Sequence, residues 1–269
     1  MSVVTKAIEL LGYFSAQTPE IGLSQLCRRA GRDKATTYRY LSNLEAAGFV
    51  EQNPLTKAYR IGPAVLPLAQ LREATVPRRA GAQAALRDLA EATGETSHVA
   101  VLSGHALHAL VDHEPTVHST RAVIDLRILP LHATASGSCA LAFGPAHLME
   151  AAHRDLTQFT PQTNTTQSAL EAAVALTRAS GFGNSDRSLE TDIHGIAAPV
   201  FDQTGLFAGT VAVASVASRL TPQSAQDIRR HLMRASKEIT RNWGGEIPAW
   251  IDALWQASVQ ETSSKEPAA

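Results

Sequence analysis

The residues with the clearest chemical capacity sit close together near the start of the chain. Lys34, Thr36, Tyr38, Arg39 and Asn43 follow at spacings that a helix gathers onto an outer arc, with Arg32 just before them and Lys57 beyond. Arg and Asn match the donor and acceptor pattern of base edges in a DNA major groove, so this set points to reading a duplex. A second set lies in LPLHATASGSCALAF, residues 129–143, where His132, Ser136 and Ser138 stand among small residues. Ser136 or Ser138 with a histidine would be the start of a hydrolase nucleophile, but there is no G-x-S-x-G elbow and no Asp/His pair in a recognisable order. The same stretch also suits a helix that opens near Ser136, whose free amides and dipole attract an anion while Gly137 lets a ligand come close. Cys27 and Cys139 have no metal-ligand spacing, and no Walker loop, dinucleotide fingerprint or H-E-x-x-H occurs. No metal, cofactor or catalytic residue is expected.

The first set needs a scaffold, and SQLCRRAGRDKATTYRYLSNLEAAGFV, residues 24–50, supplies it. Leu23, Leu26 and Ala30 form one helical stripe, Gly31 ends that helix, and Asp33 caps the next, over residues 34–47. Thr37, Leu41, Leu44 and Gly48 should face inward. FVEQNPLTKAYRI then reads as two short strands, 49–52 and 58–61, around a turn at Asn53 and Pro54 that carries Lys57. A helix-turn-helix followed by such a wing is far more specific than an amphipathic helix alone. Residues 4–14 predict a helix in front of it. Residues 64–71 predict a linker helix that ends before Pro77 and kinks or restarts near Pro67.

The chain has 269 residues, enough for two modest domains. Its formal net charge is −1, but residues 1–62 hold eight basic against five acidic side chains, so the head is +3 and the remainder −4. A basic head on an acidic body suits a nucleic-acid module joined to a domain with another task. No apolar run is long enough to span a bilayer, so a cytoplasmic protein is expected.

Beyond residue 78 the pattern is a helix up to Gly94, strands at 96–102 and 105–111 around Ser103 and Gly104, and the small-residue helix. A helix that stops at Gly181 follows. IAAPVF (196–201) and LFAGTVAVASV (206–216) make a long hairpin, and a last helix is capped by Thr221 and Pro222. Hairpins mixed with helices argue for an α+β domain with an antiparallel sheet. Residues around Trp250, Ile251, Leu254 and Trp255 suit docking on a partner or on the body, and ETSSKEPAA should be disordered.

Three stretches together resemble the IclR family of bacterial transcription regulators over nearly the whole chain. They are ATTYRYLSNLEAAGFVEQ with its YRIGP exit, PLHATASGSCALA, and GFGNSDRSLETDIHGIAAPVFDQTGLFAGTVAVASV with SRLTP. The resemblance implies a winged helix-turn-helix at 1–62, a linker helix at 63–77, and a GAF-like effector domain at 78–245 with a six-stranded antiparallel sheet flanked by helices. A short helix and tail occupy 246–269. It further implies operator double-stranded DNA as partner, contacted through Thr36, Tyr38 and Arg39, and assembly as homodimers or homotetramers. Ala35 stands where relatives often carry a hydroxyl residue, which leaves contact with a thymine methyl. The effector pocket it implies lies under the sheet: Ala135, Ser136 and Gly137 face the Gly195 strand, and Asp186 or Ser185 forms a polar wall. His132 and His98 are further candidate hydrogen-bonding groups. Ala212 and Ala214, where some members carry serines, and Ile196 make that side apolar, as suits a small organic acid with a carbon body.

Overall fold

The computed structural model describes residues 2–15, 17–123 and 127–260; the expected tail at 261–269 lies outside them. The chain divides into two compact units, Met1–Val76 and Pro77–Ala269.

In the first unit, α1 (Val3–Glu9) tightens into a 3₁₀ turn at Leu10–Tyr13, so the helix expected over 4–14 is regular only in its first half. Next come α2 (Leu23–Ala30) and α3 (Lys34–Ala46). Gly31 joins them at φ 60°, the left-handed turn that a side chain disfavours, and Asp33 caps α3 by accepting from the Thr36 amide at 2.8 Å. Thr37, Tyr40, Leu41 and Leu44 are the buried side chains of α3, and they meet Leu10, Phe14, Leu26 and Tyr59 in a small core. Gly48 lies beyond the helix end at φ 74°, not on its inner face. The wing is β1 (Val50–Gln52) paired antiparallel with β2 (Tyr59–Ile61). The linker helix α4 spans Val65–Thr75. Pro67 is its third residue, in the first turn where backbone N–H groups lack helical acceptors, so no bond is lost and the expected restart does not occur.

The second unit is built on a six-stranded antiparallel sheet of order β5-β4-β3-β8-β7-β6. The strands are β3 (Thr96–Ser103), β4 (Ala106–His113), β5 (Ile128–Leu129), β6 (Gly183–Asp186), β7 (Ile193–Phe201) and β8 (Phe207–Val216). Its helices are α5 (Arg78–Thr93), α6 (Ala135–Phe143), α7 (His147–His153), α8 (Gln167–Ser180), α9 (Pro222–Asn242) and α10 (Ala249–Gln260). Alternation along β3 separates the faces: the Ser97 hydroxyl donates to the Leu86 carbonyl of α5, whereas the next residue, His98, meets Ser136 of α6. Helices α5 and α9 cover one face and α6, backed by α8, the other. Asp186 is on edge strand β6.

The C-terminal helix docks on the body. Trp255 and Ile251 are fully buried, the Trp255 indole N–H donates to the Gly181 carbonyl at 2.7 Å, and its ring stacks on Phe182. Gln226 of α9 donates to the Val259 carbonyl, fixing the last turn. At the other end of the unit the Trp243 indole donates to the Arg78 carbonyl, with the Arg78 guanidinium over its ring.

Candidate functional sites: a helical reading surface and a cavity under the sheet

At 100° per residue, the buried positions of α3 leave Ala35, Arg39, Ser42 and Ala46 at the centre of its outer arc. Lys34 and Tyr38 lie on one flank, Thr36 and Asn43 on the other; all of these arc residues but the half-buried Thr36 and Ser42 are exposed. Arg39 thus stands centrally, and Ser42, which helical spacing alone would have revealed, joins the surface. Arg32 does not. Its guanidinium donates to Glu9 Oε2 at 2.6 Å and to the Lys6 carbonyl at 3.1 Å, tying α1 to the turn between α2 and α3. That ion pair pulls the Glu9 carboxyl below its usual range. In the wing, Arg60 pairs with Glu51 at 2.6 Å, which leaves Lys57 as the exposed cation of the turn, held at φ 57°. Arg28 of α2 is exposed with no ion-pair partner among the described residues, a further basic candidate that spacing did not single out.

The second site is a cavity of about 70 Å³ between α6 and the sheet. Ala135, Ser136, Gly195, Ala212 and Ala214 line it, together with Ser185 and His98. Its roof includes Ala122 and Val123, and Leu189, Glu190 and Ile193 form another side. The roof segment is pinned: Thr96 donates to the Ala122 carbonyl at 2.6 Å, and Arg219 bonds the Thr120 carbonyl while pairing with both oxygens of Glu95.

Helix α6 opens at Ala135, as expected near Ser136. Thr134 is its cap, accepting from the Gly137 amide at 2.9 Å and donating to the Pro130 carbonyl at 2.8 Å. The amides of Ala135 and Ser136 have no acceptor among the described residues, so two donors and the positive helix end face the cavity region. Gly137 serves another purpose than ligand approach. A Cβ there would sit 2.3 Å from the Leu131 carbonyl oxygen, so its smallness lets α6 pack on the preceding loop. Gly195 does face the helix, with the position of a Cβ only 3.1 Å from the Ala135 methyl.

Three further candidates lie elsewhere. Ile196 follows Gly195 on β7 and therefore points to the opposite face of the sheet, into the main core. His132 bonds the Thr157 carbonyl at 2.8 Å and stacks on Phe159, outside the cavity. Asp186 is exposed and meets His194 at 3.3 Å; its neighbour Ser185 supplies the polar wall, its hydroxyl already donating to the Ala133 carbonyl. His98 is the histidine in the cavity. It is 8 % exposed, its Nε2 lies 3.3 Å from the Ser136 hydroxyl, and its Nδ1 has no partner. Burial without a counter-charge pushes its pKa down to about 4, so the ring is neutral near pH 7. Burial also raises the Cys139 thiol to about 12, leaving it inert beneath β7.

A winged helix-turn-helix joined to a sheet domain with its own small-molecule cavity defines a DNA-binding regulator of the one-chain, ligand-sensing class. Comparison with known proteins places it further. The chain belongs to the IclR family of bacterial transcriptional regulators: residues 74–241 match the family's C-terminal domain and residues 3–54 its helix-turn-helix domain. It is 31% identical to a glycerol operon regulatory protein of Streptomyces griseus, over 82% of this chain and 87% of that one. It is 26% identical to the regulator XynR of Escherichia coli K12, over 90% and 96% respectively. A solved IclR-type regulator from Silicibacter sp. TM1040 superposes with a TM-score of 0.84 at 39% identity, covering 93% of this chain and 99% of that one. The chain thus carries a DNA-binding helix-turn-helix and an effector-binding domain. No helix among the described residues is long and apolar enough to cross a membrane.

Proposed function

We propose that this regulator acts in the cytoplasm, binding an operator through the outer arc of α3 and through Lys57, and that a small organic acid in the α6 cavity changes its operator affinity. Arg39 supports this most: its guanidinium, with no ion-pair partner among the described residues and resting near the Tyr40 ring, stands at the centre of an exposed helix face in a unit with a wing and has the reach to read a base edge. Control of a catabolic operon follows the glycerol operon regulator among its relatives. We read the working unit as a homodimer or homotetramer. One short helix covers few base pairs, and the first unit leaves Val4 and Ile8 of α1 and Leu68 and Leu71 of α4 exposed for a second copy.

The approach of His98 to Ser136 favours a serine hydrolase, but other features weigh against it. His98 Nδ1 meets no carboxylate, an imidazole titrating near 4 is a weak base at neutral pH, and the Ser136 side chain is 1% exposed. Ser138 is buried within α6. A gel-shift assay on the protein's own upstream DNA tests the main reading. Retention of that DNA over random competitor, altered by a small organic acid, is expected. Equal retention of both would turn α3 and the wing into a protein-contact surface.

A further inference from the structure

The cavity at α6 holds a buried histidine whose partner is a serine 38 residues away in sequence. The ring can carry its proton on either nitrogen. A proton on Nδ1 would leave a buried N–H without an acceptor, whereas a proton on Nε2 leaves only an unused lone pair on Nδ1, the less costly orphan. The Nε2–H form donates to Ser136 Oγ, so the serine hydroxyl must use its own proton elsewhere.

We propose that His98 determines which acids the cavity accepts: by donating to Ser136 it frees the serine O–H as a third donor beside the Ala135 and Ser136 amides, and the site takes a single short-chain monocarboxylate. This rests on the reading of the cavity as the effector site and specifies its chemistry. Three donors at the positive end of a helix satisfy one carboxylate. A second carboxylate has nothing to meet. Among the described residues no Lys or Arg lines the cavity, His98 is neutral, and the charged residue on the wall is Glu190. Dicarboxylates are therefore excluded by an unpaired second carboxylate, while Ala212 and Ala214 receive an alkyl chain. The volume of about 70 Å³ is several times what one water requires, enough for a chain of a few carbons.

Titration calorimetry on the full-length protein with butyrate, succinate and butyramide tests this. Butyrate should bind at least about tenfold more tightly than either, since each competitor leaves buried polar groups unpaired. His98→Leu and Ser136→Ala should each weaken butyrate by about tenfold or more, and His98→Gln, which sets an amide N–H where Nε2 lies, should restore most of it. Nitrogen NMR of the unmodified protein should find the neutral Nε2–H tautomer at His98, with its resonance moving on butyrate addition. Failure of butyrate to bind, succinate binding as tightly, the Nδ1–H tautomer, or an unaltered affinity in His98→Leu would each overturn the role of His98. Gly195→Leu separates that failure from a deeper one. If it abolishes butyrate binding while His98→Leu does not, the cavity remains the effector site; if neither variant has an effect, the ligand sits elsewhere and both readings fall.

Discussion

Arg32 and Arg39 have the same side chain in the same motif, and the fold employs them differently. Arg32 is spent on Glu9 and a carbonyl, a partnership 23 residues away that no local spacing reveals, whereas Arg39 stands at the centre of the outer arc with no ion-pair partner among the described residues. Arg39→Ala should weaken the operator by about 1–3 kcal/mol in gel shifts at fixed salt, with unchanged circular dichroism. Lys57→Gly should relax a left-handed backbone while removing one charge, so it should weaken operator and random DNA alike and reduce the salt slope by about 1. The residue type and place of His98 were legible as a strand histidine, but its contact with Ser136 depends on how α6 lies over the sheet. Ile196 was misplaced by overlooking the period of two that turns it away from Gly195. The depressed pKa of His98 also has a sign. As pH falls from about 6.5 the unfolded chain takes up the proton first, so stability present above that pH is lost on the way to about 4. Urea titrations across this window should show the unmodified protein losing on the order of 3 kcal/mol more than His98→Leu.

At the scale of elements, those with chemical punctuation were legible. Gly31, Asp33, Gly181 and the Thr221-Pro222 cap delimit α2, α3, α8 and α9 as expected. Helix α7 was missed because its seven residues have no side-chain cap, and β6 because GNSD is polar throughout and is ordered by pairing with β7. The start of α6 was legible to within a residue, although a helix buried on nearly every side has no apolar stripe to mark its first turn. For α10, the apolar set around Trp255 was visible but its destination was not. Trp255→Ala should cost about 3–5 kcal/mol in urea unfolding of the second unit, through the emptied volume and the lost bond to Gly181. Trp255→Phe, which keeps the stack on Phe182, should cost less.

For the whole molecule, assembly decides how far a single α3 can act. Sedimentation should give a multiple of 28.7 kDa, and Ile8→Glu with Leu68→Glu should lower it. Footprints should then contract from two half-sites about 34–36 Å apart, or a multiple of that, toward weak single contacts. Effector control requires that the ligand prefer one arrangement of the assembly, with typical coupling of about 5- to 150-fold. Because coupling is reciprocal, operator DNA must change ligand affinity by the same factor, which calorimetry with and without DNA can measure.

The division into two compact units also gives the chain two separate optical reporters. Tyr13, Tyr38, Tyr40 and Tyr59 are its four tyrosines and all lie in the first unit; Trp243, Trp250 and Trp255 are its three tryptophans and all lie in the second. Tryptophan emission therefore follows the effector domain alone, with the buried Trp255 contributing a blue-shifted component beside the exposed Trp250. Tyrosine signals follow the DNA-binding head, and Tyr38 on its outer arc is placed to sense a bound duplex. A single unlabelled sample can thus be watched in two colours, showing whether the two halves melt together and in which order they respond when a ligand and an operator are mixed.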